Sequence, residues 1–308
     1  MKRKRNHITA KSAAEILEHY CHARPQSISQ IHGGLENYVF EAKLRGKELI
    51  VRISSKPNRL QFFLKEQWAV RKAREFGVPV PEILEVGNEL EGMPYMILEK
   101  ISGQSADLCG NRLQTLQSLA TYTRKINSIP TSGFGHVFDW SKNRLSRSTT
   151  WPSFLEDEFG IPDRLELFRK QKIFVDQKLR RIESSIRDLK KLDFVPRLNH
   201  GDIRLKNVIL DEAGKIKAII DWENCLSGPA PQWDISIALH DLSIDEKEVF
   251  VESYGLAPSD FEKIAPTLKA LNILNYGKAL AKAVAEKDAA QIRHIKTRLN
   301  GAFDLFVL

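Results

Sequence analysis

The sequence predicts an α+β protein of two lobes, a β-rich N-terminal lobe with one key helix and a mainly helical C-terminal lobe. Residues 27–99 alternate apolar and polar side chains in short runs broken by Gly and Pro, the pattern of antiparallel strands. From Leu113 onward the apolar residues recur at helical spacing, interrupted only around residues 208–220. A chain of 308 residues is long enough to bury a core in each lobe. The expected boundaries are an N-terminal extension or helix over 1–26, a first lobe over 27–102 and a second over 103–308.

Taken in order, the first helix runs from about Ala10 to His22, and Ser27–Ile31 reads as a strand broken at Gly33-Gly34. Tyr38, Phe40, Ala42 and Leu44 share one face of the next strand. Arg45-Gly46 makes a tight turn into Glu48–Ile53. A helix over Gln61–Phe76 stops at Gly77, with Pro79 and Pro81 beyond. Strands near Glu82–Val86 and Tyr95–Leu98 complete a small sheet. Helices are expected over Leu113–Ile126, Trp151–Glu158 and 170–192, and again from about Ile235. Between them, Val208–Leu210, a turn at Asp211–Gly214 and Ile216–Ile220 read as a hairpin.

Composition excludes several classes. No apolar run approaches the ~18 residues of a membrane span, and the basic start lacks the apolar core of a secretory signal. Lys2-Arg3-Lys4-Arg5 reads as a solvated terminus rather than a nucleic-acid tag. Three cysteines, Cys21, Cys109 and Cys225, are odd in number and far apart, which suits a reducing cytoplasm. The net charge of +8 is not gathered into one polyanion-binding face. Residues 169–191 carry nine Lys and Arg on what reads as the solvated side of an amphipathic helix, whereas 221–262 hold ten acids and one lysine, Lys247. No nucleic-acid or membrane partner is expected, and a monomer or homodimer fits.

The chemistry concentrates in "HGDIRLKNVIL…AIIDWE", residues 200–223. His200, Asp202 and Asn207 have the spacing H-x-D-x-x-x-x-N of a phosphoryl-transfer loop, and the hairpin that follows returns Asp221 toward Asn207. One aspartate near an acceptor hydroxyl, with an amide and a carboxylate for Mg²⁺, is what such a reaction requires. Mg²⁺ takes hard oxygen ligands and keeps several waters, so two protein ligands suffice. On the helix Gln61–Phe76, Phe62, Glu66, Ala69, Ala73 and Phe76 form a stripe facing the lobe interior. A buried Glu66 needs a cation. Arg52, on the strand Leu49–Ile53, is the first candidate, as a bidentate partner; Lys43 and Lys56 are others, and Arg52 as an exposed strand residue is the plainer alternative.

At these residues the chain resembles the aminoglycoside phosphotransferase family, small-molecule kinases with a protein-kinase-like fold. That family has His-Gly-Asp where protein kinases have His-Arg-Asp, and Ile-Asp-Trp where they have Asp-Phe-Gly. "IHGGLENYVFEA" resembles its nucleotide loop, "GVPVPEILEVG" its post-helix strand, "YMILEKISG" its hinge, and "PTSGFG", "WPSFL" and "PAPQWDISIAL" segments of its C-lobe. The resemblance implies ATP, or GTP in its place, and Mg²⁺ as cofactors. It implies Asp202 as catalytic base, with Arg204 either on the γ-phosphate or facing solvent. Asn207 and Asp221 would be the metal ligands, and Gly33, Gly34, Glu36 and Asn37 would give backbone N–H groups to phosphate. Arg52 would take the place of the family's usual lysine beside Glu66, and the backbone of Glu99 and Ile101 would meet the adenine edge. Asp234 matches an aspartate that braces the catalytic loop.

The acceptor is expected to be a small hydroxyl compound carrying positive charge, such as an aminoglycoside-like antibiotic, with Glu156, Asp157, Glu223 and Asp241 lining its site. Glu156 and Asp157 as simple complements to a helix terminus are the alternative. A metabolite kinase of choline, homoserine or sugar type, or a non-catalytic nucleotide-binding module in view of Arg52, would have the same fold.

Overall fold

The computed structural model describes residues 8–31, 37–90, 92–136, 148 and 150–304. Helix α1 (Ala10–Cys21) leads into strands β1 (Ser27–Ile31), β2 (Tyr38–Leu44) and β3 (Lys47–Ile53). Helix α2 (Arg59–Glu75) follows, then β4 (Ile83–Gly87) and β5 (Tyr95–Glu99). The strands form one antiparallel sheet in the order β1-β2-β3-β5-β4. The β2–β3 turn is a two-residue one, with Arg45 at φ 48° and Gly46 at φ 78°, the left-handed pair whose twist matches a hairpin.

Alternation along β3 sorts its side chains between two layers. Leu49, Val51 and Ile53 join Phe40, Ala42, Leu44, Tyr95 and Ile97 in a core closed by Ile8, Ala13, Ile16 and Leu17 on and just before α1. Arg52 lies on the opposite face and reaches α2. On α2 the buried residues are Phe63, Lys65, Glu66, Ala69, Val70 and Ala73. Phe63 rather than Phe62 therefore anchors the expected stripe, and Phe76, past the helix end, is exposed.

The chain groups into two units, Met1–Leu108 with Lys206–Glu223, and Cys109–Leu205 with Asn224–Leu308. The hairpin expected within the second lobe thus groups with the first unit. Its strands β8 (Val208–Leu210) and β9 (Ile216–Ile219) pair, and β8 also pairs with the short β6 (Gln104–Ser105). Ile219 N–H donates to the Pro79 carbonyl at 2.8 Å, tying the hairpin to the segment after α2.

The second unit is mainly helical: α3 (Arg112–Ser128), α4 (Trp151–Phe159), α5 (Ile161–Lys170), α6 (Asp176–Lys191), α7 (Gln232–Ala238), α8 (Ile244–Tyr254), α9 (Pro258–Ala285) and α10 (Ala289–Asp304). The helix expected over 170–192 is α6, which begins only at Asp176; the residues before it form a turn after α5 in which Lys172 is left-handed (φ 48°) and Ile173 and Phe174 are both buried. Two strands escaped the sequence reading, β7 (Pro196–Asn199) and β10 (Leu226–Pro229), which pair antiparallel. The core gathers Trp151, Phe154, Phe159 and Trp233 with Leu179, Ile182, Ile186 and Leu189 of α6 and Leu271 and Leu274 of α9. No helix among the described residues is long and apolar enough to cross a membrane.

Candidate active site

In the first unit, the end of the hairpin sets two of the candidate residues. The Asn207 carbonyl accepts Ile220 N–H at 2.9 Å, and the register Val208↔Ile219 holds the strand ends together. Asp221 is the next residue and sits at φ 65°, a conformation that costs an L side chain energy and that Asp tolerates better than most. β9 itself ends at Ile219, two residues earlier. Trp222 is then buried, with its indole N–H donating to the Ile219 carbonyl at 3.0 Å. Asn207 is 5% exposed.

Arg52 Nη1 donates to Glu66 Oε2 at 2.6 Å, and the Arg52 guanidinium lies 5.4 Å from the centre of the Phe63 ring. The pairing is single rather than bidentate, because Arg52 Nη2 turns to Glu223 Oε2 at 3.4 Å. Burial works to lower the Arg52 pKa. The charge and hydrogen bond of Glu66, and then the charges of Glu223 and Asp221, outweigh it and raise the value above that of an ordinary arginine. Two residues the sequence reading missed join this group. Arg59 Nη2 donates to the same Glu223 oxygen at 2.7 Å, and the fully buried Lys65 donates to the Glu223 backbone carbonyl at 2.9 Å. The available signal was spacing: Arg59 lies seven residues before Glu66, two turns along one face of α2.

Gly33, Gly34 and Glu36 lie outside the described residues, and Asn37 immediately precedes β2. Glu99 ends β5 with its N–H committed to the Glu82 carbonyl at 2.8 Å, which narrows its contribution to the carbonyl; Ile101 follows two residues on.

In the second unit, β7 delivers the loop His200-Gly201-Asp202. Asp234, fully buried on α7, accepts the backbone N–H groups of His200 (3.0 Å) and Gly201 (2.9 Å) and the Asn127 side-chain amide (2.9 Å). Tyr254 donates to Asn127 Oδ1 at 3.2 Å, so α3, α7 and α8 all bear on this loop. Burial pushes the Asp234 carboxyl up to about 6; the Gly201, His200 and Asn127 donors pull the other way, and the Asp202 charge adds to the rise. His200 Nδ1 accepts Asp202 N–H at 3.2 Å, which leaves the imidazole proton on Nε2. Asp202 is 8% exposed and forms an ion pair with Arg204, Nε to Oδ1 2.9 Å.

The expected acceptor-site acids are placed one by one, each within its own unit. Glu156 and Asp157 lie on the exposed side of α4, opposite its buried Trp151, Phe154, Leu155 and Phe159, and Glu156 pairs with Lys190 at 3.0 Å. Glu223 is held by Arg52 and Arg59. The Asp241 side chain lies outside what is described. Of the described acids, Glu156 and Glu223 have cationic partners.

The model of the phosphotransferase enzyme family (APH) matches residues 27–267. The chain belongs to that family. Hygromycin-B 4-O-kinase of Escherichia coli is 25% identical over 218 residues, a stretch covering 68% of this chain and 60% of that protein's length. Among solved structures, the aminoglycoside phosphotransferase APH(4)-Ia superposes with a TM-score of 0.71 at 20% identity, over 96% of this chain and 99% of the other. Its thermostable mutant in ternary complex with AMP-PNP and hygromycin B gives 0.70 at 19% identity, with the same coverage. These likenesses, with the antiparallel sheet, α2 and the helical second unit, make the phosphotransferase fold that of an α+β, kinase-like protein.

Proposed function

We propose that this member of the phosphotransferase enzyme family is an ATP-dependent small-molecule kinase that transfers the γ-phosphate to a hydroxyl of an aminoglycoside-like antibiotic. The observation that carries the reaction class is the hairpin end, where the Asn207–Ile220 bond leaves an amide and a carboxylate on adjacent strand ends. Both are hard oxygen donors, one of them nearly buried, and so fit Mg²⁺. Bound there by Asn207 and Asp221, Mg²⁺ would neutralise charge on the phosphates.

The chain's own residues supply the remainder. Asp202 orients the acceptor hydroxyl and takes its proton, and Arg204 pairs with it and holds its carboxylate in place. Asp234 fixes the loop that carries it. Arg52, held by Glu66, faces the phosphates, and the backbone of Glu99 and Ile101 faces the base; Gly33, Gly34, Glu36 and Asn37 keep the phosphate-loop role that the family resemblance implies. GTP in place of ATP is a variation on the same roles. The acceptor class follows the hygromycin-B 4-O-kinase relative. A second reading, a metabolite kinase, is favoured by one observation: Glu156 and Glu223 already have cationic partners and do not await a polycation.

The test is ADP release with Mg·ATP over a panel holding hygromycin B, kanamycin-type aminoglycosides, choline, homoserine and methylthioribose. Turnover on an amino-sugar is expected, with Asp202→Ala lowering kcat by roughly 10²–10⁴-fold. Turnover on a metabolite alone would transfer the assignment to the second reading. Failure of the purified chain to bind Mg·ATP in calorimetry would overturn both.

A further inference from the structure

Glu223 has three cations on it and shows signs of being a substitute for something else. Arg59 Nη2 at 2.7 Å and Arg52 Nη2 at 3.4 Å share one carboxylate oxygen, Oε2. Lys65 takes the backbone carbonyl of the same residue. Both guanidinium groups are held in place by rings, Arg52 over Phe63 and Arg59 over Phe62 at 5.0 Å. Neither arginine is loose: their side chains are 14% and 12% exposed. Arg59 Nε is nevertheless buried with no acceptor among the described residues. A buried charged donor left without an acceptor is costly, and its usual explanation is a ligand that supplies one. The two carboxylates also differ. Glu66 is 3% exposed and enclosed in the interior, whereas Glu223 is 28% exposed and has solvent on one side.

We infer that Arg52 and Arg59 form a two-arginine phosphate site whose built-in occupant is the Glu223 carboxylate, and that the polyphosphate chain of the nucleotide displaces it. This rests on the proposed nucleotide-dependent function and adds Arg59 to its binding residues. The exchange makes and breaks only ion pairs. A phosphate offers several oxygens to a pair of planar guanidinium forks, including one for Arg59 Nε, where a single carboxylate oxygen now serves both. Glu223 is then no part of the acceptor site. It is an internal competitor that keeps the arginines paired until nucleotide arrives and sets a ceiling on nucleotide affinity.

The experiment measures binding of inorganic tripolyphosphate and of Mg·ATP by calorimetry, with thermal shift in parallel, for the whole chain and three variants. Arg59→Met is expected to weaken both ligands by roughly 10–100-fold, and Arg59→Lys by less, because the charge stays but the fork is lost. Glu223→Gln is expected to tighten tripolyphosphate severalfold and to enlarge the thermal shift it causes, although the unliganded variant melts lower. Wild-type affinity in both Arg59 variants, or unchanged or weaker binding in Glu223→Gln, overturns the inference. The latter is what a purely structural ion pair would give. If Arg59→Met does not fold, Arg59→Lys and Glu223→Gln still decide. A wild-type chain that binds Mg·ATP while the variants match it defeats only this inference; one that binds no Mg·ATP defeats the functional reading itself.

Discussion

Asp234 carries the heaviest electrostatic burden of any single side chain described, since a fully buried carboxylate is answered by three N–H donors and no cation. Its folded pKa of about 6 lies above the 3.8 of an ordinary aspartate, so the folded state holds the proton to higher pH than the unfolded chain does. The stability this group contributes is therefore complete below about pH 4 and is lost as pH rises through about 6. A neutral Asp234→Asn chain has no such loss. Its deficit relative to wild type, measured by urea unfolding across pH, should be largest near pH 4 and shrink toward pH 7. A deficit constant with pH would contradict the assignment. Residues of this kind were only half legible. Glu66 was readable as buried because its helix spacing put it among apolar neighbours, and burial demanded a cation. Arg59 could be placed on the same helix face as Glu66 by its spacing, but its partner could not be named, because Glu223 lies 164 residues along the chain.

At the scale of elements, the loop between β7 and α7's Asp234 depends on Gly201. It sits at φ 81°, and a Cβ there would collide with the Asn224 backbone carbonyl, which cannot yield as a flexible side chain would. Gly214, in the hairpin turn, has a similar φ of 76° and open space around it. The pair separates strain from collision. Gly214→Ala should cost about 1–2 kcal/mol from the left-handed backbone alone, and Gly201→Ala more than ~3 kcal/mol, in the range that signals a named steric fault. Urea unfolding of both variants checks this, and equal costs would remove the collision. Elements with strong local signals were readable in advance: the β2–β3 hairpin from its alternation and Arg45-Gly46, and α2 from its stripe and Gly77. β7 and β10 were not, since Pro-Arg-Leu-Asn and Leu-Ser-Gly-Pro show no alternation and are strands only through each other. The break between α5 and α6 was hidden by a basic run that continues through it. The adjacent buried pair Ile173-Phe174 was the sign that a continuous helix could not have one wet face there.

At the scale of the whole molecule, the first unit is assembled from two separate stretches of chain. Residues 1–108 therefore cannot be expected to fold as a free-standing N-terminal domain, because β6 would lose its partner β8 and the Pro79 carbonyl its donor Ile219. Expressed alone, that fragment should give weak amide protection around residues 79–87 and 102–108 in hydrogen exchange, compared with the intact chain. Protection equal to that of the full protein would show that the hairpin adds nothing to the unit. The same arrangement has a consequence during synthesis. After Leu108 leaves the ribosome, roughly a hundred residues of the other unit must be made before Lys206–Glu223 appears, an interval of about 5–20 s at ~5–20 residues per second. For that time Arg52 and Arg59 exist without Glu223, so the ion pairs that hold both guanidinium groups can form only when the final residue of the 206–223 stretch has been made.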